Sequence, residues 1–105
     1  MIDQTMLDKA TELLRETAHP QQIILFGSHA RNDAREDSDV DILVIEKEVG
    51  NRVAEMVRLT RALSPLRIPV DLLVVSREVF EYWADTPGNV YYQARSEGKV
   101  VYEVA

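Results

Sequence analysis

The stretch Ile23-Ile-Leu-Phe-Gly-Ser-His-Ala-Arg-Asn-Asp-Ala-Arg-Glu-Asp-Ser-Asp-Val-Asp-Ile-Leu-Val-Ile45 decides how the rest of the chain is read. Ile23 to Phe26 is a short apolar run stopped by glycine, the pattern of a buried strand that ends in a tight turn. Gly27 tolerates a positive φ or a close approach to its backbone. Ser28 to Arg31 is expected to open a short helix with Ser28 at or near its N-cap. Backbone N–H groups at such a turn suit phosphate. Arg31, about one helical turn on, adds a permanently charged planar fork for the same oxygens. After a polar loop, Asp39 to Ile45 starts in strict alternation. Both carboxylates of Asp39 and Asp41 then share one strand face while Val40 and Ile42 point into a core.

Two carboxylates that close repel each other unless a cation or a shared proton compensates. All-oxygen ligands favour a hard cation, magnesium or manganese. A third acid, Asp71, is the only charge in the aliphatic run Ile68 to Val75. Pairing that run beside Asp39 and Asp41 makes a three-carboxylate cluster.

These residues, Gly27-Ser28, Arg31, Ser38-Asp39-Val40-Asp41 and the later Asp71, resemble the signature of the DNA polymerase beta-like nucleotidyltransferase superfamily. The chain's size and the form LFGSHAR…SDVDILV resemble the minimal nucleotidyltransferase branch, small proteins often encoded beside a HEPN-domain partner. Asn32 stands where relatives commonly carry glycine, and His29 occupies a variable position. The resemblance implies a nucleotidyltransferase fold: an α/β domain whose small mixed sheet carries the acids and packs against helices. It implies catalytic and metal-ligating roles for Asp39, Asp41 and Asp71, and nucleotide binding by Gly27, Ser28, Arg31 and Ser38. It also implies two Mg²⁺ ions, with Mn²⁺ as a substitute, and ATP as substrate. The activity implied is transfer of AMP to a tyrosine of a HEPN-domain toxin, with this chain as its antitoxin in a hetero-oligomer. Two other readings stay open: an antitoxin that neutralises by binding alone, and a small-molecule nucleotidyltransferase subunit of the aminoglycoside type.

Outward from the central stretch, 105 residues are expected to make one domain spanning 1–105. A hydrophobic share of 46% fits a globular chain. With no cysteine, disulfides and thiolate metal sites are excluded, in keeping with a cytoplasmic location. Neither a signal peptide nor a membrane span is expected. A formal net charge of −6 weighs against direct nucleic-acid binding but suits a basic protein partner, and bound metal ions reverse the charge locally for a nucleoside triphosphate.

Asp3 to Ala18 reads as a helix with Asp3 as N-cap, ended by His19-Pro20. His19 is expected to be a helix-end residue and His29 an exposed one. Asn32 to Ser38 reads as a solvated loop, in which Ser38 either caps the loop or touches phosphate. Asn51 to Ser64 is amphipathic, with Val53, Met56, Val57, Thr60 and Leu63 as the apolar stripe. Pro69 to Ser76 reads as the third strand and Ser76 as the cap of the next helix. Asn89 to Glu97 reads as the last helix and Lys99 to Tyr102 as a terminal strand. Phe80, Tyr82, Trp83, Tyr91, Tyr92 and Tyr102 crowd the last quarter, mostly as core, with room for an exposed patch.

Overall fold

A computed structural model describes residues 2–104. Helix α1 (Gln4–Ala18) starts where the Asp3 side chain accepts the Met6 N–H, and ends at His19, whose left-handed backbone (φ 47°) returns its N–H to the Arg15 carbonyl. Strand β1 (Gln22–Phe26) follows, then the four-residue helix α2 (Ser28–Arg31), a loop, and strand β2 (Val40–Glu46). Helix α3 (Arg52–Leu63) and a 3₁₀ turn (Ser64–Leu66) lead to strand β3 (Val70–Ser76). Helices α4 (Arg77–Trp83) and α5 (Val90–Glu97) and strand β4 (Lys99–Glu103) complete the described chain. Ser76 caps α4 through the Val79 N–H, and Asn89 caps α5 through the N–H groups of Tyr91 and Tyr92.

The four strands form one mixed sheet in the order β3-β2-β1-β4. β1 runs antiparallel to both β2 and β4, and β2 runs parallel to β3. Both faces carry helices, so β2 is an almost continuous apolar run rather than a half-wet alternating one. One face buries Ile23, Leu25, Val40, Ile42, Val44, Leu72 and Val74 against Leu7, Ala10 and Leu14 of α1 and Leu59 and Leu63 of α3. The other buries Ile24, Phe26, Leu43, Ile45 and Val75 against Phe80 and Ala84 at α4 and Ala94 of α5. Among the described residues, no helix is long and apolar enough to cross a membrane.

Three expectations change. Helix α3 buries Leu59 and Leu63, with Met56 half-buried, whereas Val53, Val57 and Thr60 face solvent. The apolar arc is broader than the part that α1 and the sheet cover. Of the six aromatics in the last quarter, Phe80 alone is fully buried, while Tyr82 is 72% and Trp83 44% exposed. A small domain has too little interior to enclose them all. Asp39 lies just before β2 rather than in it.

Candidate active site

Strand parity and register build the site. Odd-numbered residues of β2 and β3 face α4 and α5, and the parallel ladder sets Asp41 directly opposite Asp71. On the other side of β2, the antiparallel ladder sets Phe26, the last residue before the glycine turn, opposite Asp41. The turn and the acids therefore meet at one end of the sheet. Gly27 has φ 71° and ψ −155°, a conformation open in practice to glycine alone. A Cβ there would lie 3.0 Å from Asp41 Cγ and closer still to its Oδ2. The absence of a side chain at Gly27 lets the turn lie against the Asp41 carboxylate.

Gly27, not Ser28, is the N-cap of α2, and Ser28 is its first residue. The N–H groups of Ala30 and Arg31 both bond to the Gly27 carbonyl at 3.1 and 3.0 Å, leaving those of Ser28 and His29 without helical partners. Asn32 closes α2 in the left-handed region (φ 64°), donating its N–H to the Ser28 carbonyl. That conformation accounts for an asparagine at this position, since asparagine tolerates it better than any residue but glycine.

Arg31 departs from the expected phosphate fork. Its guanidinium turns along the surface to Asp33 (3.3 Å) and Glu97 (3.4 Å). Ser38 caps the loop: its Oγ accepts the Arg35 N–H at 2.8 Å, which leaves the hydroxyl proton free to donate elsewhere. His29 is buried, at 6% exposure, contrary to its reading as an exposed side chain. The Ile2 N–H donates to its Nδ1 at 2.7 Å, and its Nε2 lies 3.1 Å from the Ser38 carbonyl oxygen. Sequence reading had no means of finding this, because both partners are backbone groups in other segments.

The carboxyl of Asp41 is pushed above its ordinary value, first by burial and then by the charges of Asp71 and Asp39, with His29 and Arg31 acting weakly the other way. Among the described residues no cation lies within ion-pair distance of Asp39, Asp41 or Asp71, and none of the three accepts a hydrogen bond from a side chain. Asp39 and Asp71 are exposed and Asp41 half-buried, so the acids line an open surface. Concavities of about 340 and 580 Å³ both have Ile2 and His29 in their walls and include none of the three acids. Also among the described residues, no three carboxylate or imidazole groups converge tightly enough to hold one ion as the side chains stand. The donor set is nevertheless of the kind that fits a hard divalent cation: three oxygen-bearing side chains on one surface, mutually repelling and, among the described residues, with no ion-pair partner.

A mixed sheet with a glycine–serine turn laid against paired strand aspartates defines a nucleotidyltransferase-type domain. The family model described as "Polymerase beta, Nucleotidyltransferase" matches residues 8–104, and the chain belongs to that family. Its chemistry uses a nucleotide substrate and, in general, a divalent metal. The chain is similar to the protein adenylyltransferase MntA of Thermococcus cleftensis, 43% identical over 65 residues, which are 60% of this chain and 64% of that protein. Among solved structures it is similar to a chain of a toxin–antitoxin complex with AMP-PNP, with a TM-score of 0.67 and 25% identity over 92% of this chain and 73% of that one. It also shares its fold with a chain of the Shewanella oneidensis complex of a tri-AMPylated HEPN toxin with an MNT antitoxin, with a TM-score of 0.65 and 23% identity over 98% and 74% of the two chains.

Proposed function

We propose that this chain is the antitoxin of a toxin–antitoxin pair and silences a HEPN-domain toxin by moving AMP from ATP onto a tyrosine of that partner. The observation that carries this reading is the register that sets Asp41 opposite Asp71 beside the Gly27 turn. The adenylyltransferase relative supports the reaction type, and the toxin–antitoxin complex with a nucleotide analogue supports the partner class.

In the reaction, the tyrosine hydroxyl oxygen bonds to the α-phosphorus and the bond to the oxygen bridging to the β-phosphate breaks. Pyrophosphate leaves, and the hydroxyl proton passes to a carboxylate. Asp71 is the candidate base, being exposed and directly opposite Asp41 in the parallel ladder. Asp39, Asp41 and Asp71 would hold Mg²⁺, two ions by the number of carboxylates, with Mn²⁺ able to replace it. When bound, the metal offsets charge on the phosphoryl oxygens and favours the ionised nucleophile. The free N–H and the hydroxyl of Ser28, with the bare backbone of Gly27, hold the β- and γ-phosphates. Arg31 exchanges its two surface carboxylates for phosphate oxygens, and the Ser38 hydroxyl donates to one more. ATP as substrate and a chain without cysteine fit the cytoplasm.

The test is the intact mass of a co-expressed HEPN-type partner after incubation with this protein, ATP and Mg²⁺, with Asp39→Asn as control. Gain of one or more AMP groups by the partner, absent with the mutant, is the expected result. A complex that forms and silences the partner with no mass gain would replace this reading with an antitoxin that acts by binding.

A further inference from the structure

His29 lies between the two halves of the candidate site and has no role in the chemistry above. Its ring is buried, and both ring nitrogens have backbone partners from different segments. A backbone N–H can only donate, so the bond from Ile2 makes Nδ1 the acceptor. The proton of the neutral ring is then on Nε2, which donates to the Ser38 carbonyl.

The position of that carbonyl matters. The Ser38 C=O and the Asp39 N–H belong to one planar peptide unit, so holding the oxygen fixes the plane from which Asp39 departs. On its far side, Asp39 is followed by Val40, whose N–H bonds to the Pro69 carbonyl at 2.8 Å. Asp39 itself is exposed and its carboxylate has no side-chain partner among the described residues, so backbone alone places it. The remaining bonds of Ser38 are local, its N–H to the Arg35 carbonyl at 3.0 Å and its Oγ from the Arg35 N–H. They shape the loop's end without tying it to α2. The His29 bond supplies that tie, one residue after Ser28 in the turn and one residue before Asp39.

We propose that His29 is a positioning residue that fixes the spacing between the Gly27-Ser28 turn and Asp39, and so sets the affinity of this surface for a metal–nucleotide pair. The assignment rests on the functional reading above. It predicts that the two hydrogen bonds of the ring are separable in effect. In His29→Gln the longer amide places an N–H where Nε2 stands and keeps the bond to Ser38. In His29→Asn the shorter amide reaches only the place of Nδ1 and keeps the bond from Ile2.

The experiment measures binding of Mn²⁺ with a non-hydrolysable ATP analogue by calorimetry. Amide hydrogen exchange over residues 36–41 of the metal-free protein and thermal unfolding complete it. We expect His29→Gln to bind within about twofold of wild type. His29→Asn should bind at least about tenfold more weakly, as when a group supporting a metal ligand is removed, with faster exchange over 36–41. Ile2→Pro removes the N–H that orients the ring while leaving His29 in place, and is expected to give an intermediate loss. It decides the matter if His29→Asn does not fold. Equal affinities in the folded variants and wild type, or a His29→Gln protein as weak as His29→Asn, would overturn the assignment alone. A wild-type protein that binds no Mn²⁺ and analogue would overturn both the assignment and the functional reading.

Discussion

Strand β2 carries a carboxyl group under pressure at each end, and the two ends relieve that pressure differently. At Glu46 the protein supplies the relief itself. Burial, then the neighbouring Glu55, push the Glu46 carboxyl up to about 8, so that it holds a proton near neutrality and donates it toward Glu55. Glu55 in turn is held below its ordinary value, first by Arg58, which donates to it twice at 2.8 Å, and then by Glu46. Glu46 Oε2 is the one fully buried side-chain nitrogen or oxygen among the described residues that has no hydrogen-bond partner. At the other end, Asp41 is pushed up by burial and two further aspartates, and among the described residues no arginine or lysine is paired with any of the three. An acid whose charge the fold has balanced serves the fold. One left unbalanced on an open surface is what the proposed metal site requires, since a bound cation would bring the missing positive charge.

The contrast is broken most severely by Asp41→Asn. Nucleotidyl transfer should fall by at least about a hundredfold, the scale of losing a metal-site group, in a mass assay on the partner. The thermal midpoint of the metal-free protein should stay level or rise, because a repelled, half-buried charge is gone. A lowered midpoint would mean that the aspartate supports the fold after all.

Gly27→Ala tests the contact between turn and acid. The backbone conformation alone costs a non-glycine residue about 1–3 kcal/mol, and the added methyl overlaps the Asp41 carboxylate. Denaturant unfolding should show a loss of at least that size. Wild-type stability would show that the turn has room to shift.

The Glu46 end is tested by pH. The folded state holds the Glu46 proton more tightly than the unfolded state does, so stability falls as pH rises from about 4.5 to about 8. Glu55 acts in a lower window: its depressed value gives stability that is present above 4.5 and lost as the solution is acidified through its folded value. Urea unfolding across pH 5 to 8 should therefore show a decline of about 1–3 kcal/mol in wild type. In Glu46→Gln, which keeps an N–H to donate and cannot ionise, most of that slope should vanish. An unchanged slope in the variant would place its source elsewhere.

The smallest effect is expected at Arg31. Its two carboxylate contacts lie at the solvent-exposed surface, so Arg31→Ala should leave the stability close to that of wild type. Affinity for the ATP analogue should nonetheless drop several-fold if the guanidinium swings to phosphate. Unchanged affinity would leave Arg31 as a surface ion pair.

Much of this molecule is legible in the chain because the signals are local. Asp3, Asn51, Ser76 and Asn89 each cap the helix that follows by a bond of their own side chain to a backbone N–H two or three residues on. Gly27 after Phe26, and the alternation around Asp41, announce a turn and a strand for equally short-range reasons. Misreadings occur where two local answers are equally good. In α3, Val53, Val57 and Thr60 lie on an apolar arc beside Leu59 and Leu63, and the contact with α1 and the sheet selects which part is covered. In the last quarter, six aromatics compete for an interior that takes in Phe80 fully and leaves Tyr82 and Trp83 at the surface.

Which groups the site has at its disposal is written in the chain: a glycine–serine turn, an arginine one helical turn on, and three aspartates at the start of or within apolar runs. These follow from residue type and short spacing. Tertiary structure decided how they meet. The parallel pairing of β2 with β3 set Asp41 against Asp71, and the antiparallel return of β1 laid Gly27 over the same carboxylate. Packing buried His29 between Ile2 and Ser38, and turned Arg31 toward Glu97, 66 residues away. The physical reason is range. Capping and alternation act over a few residues, whereas strand register, burial and ion pairing depend on segments that become neighbours only once the sheet has formed.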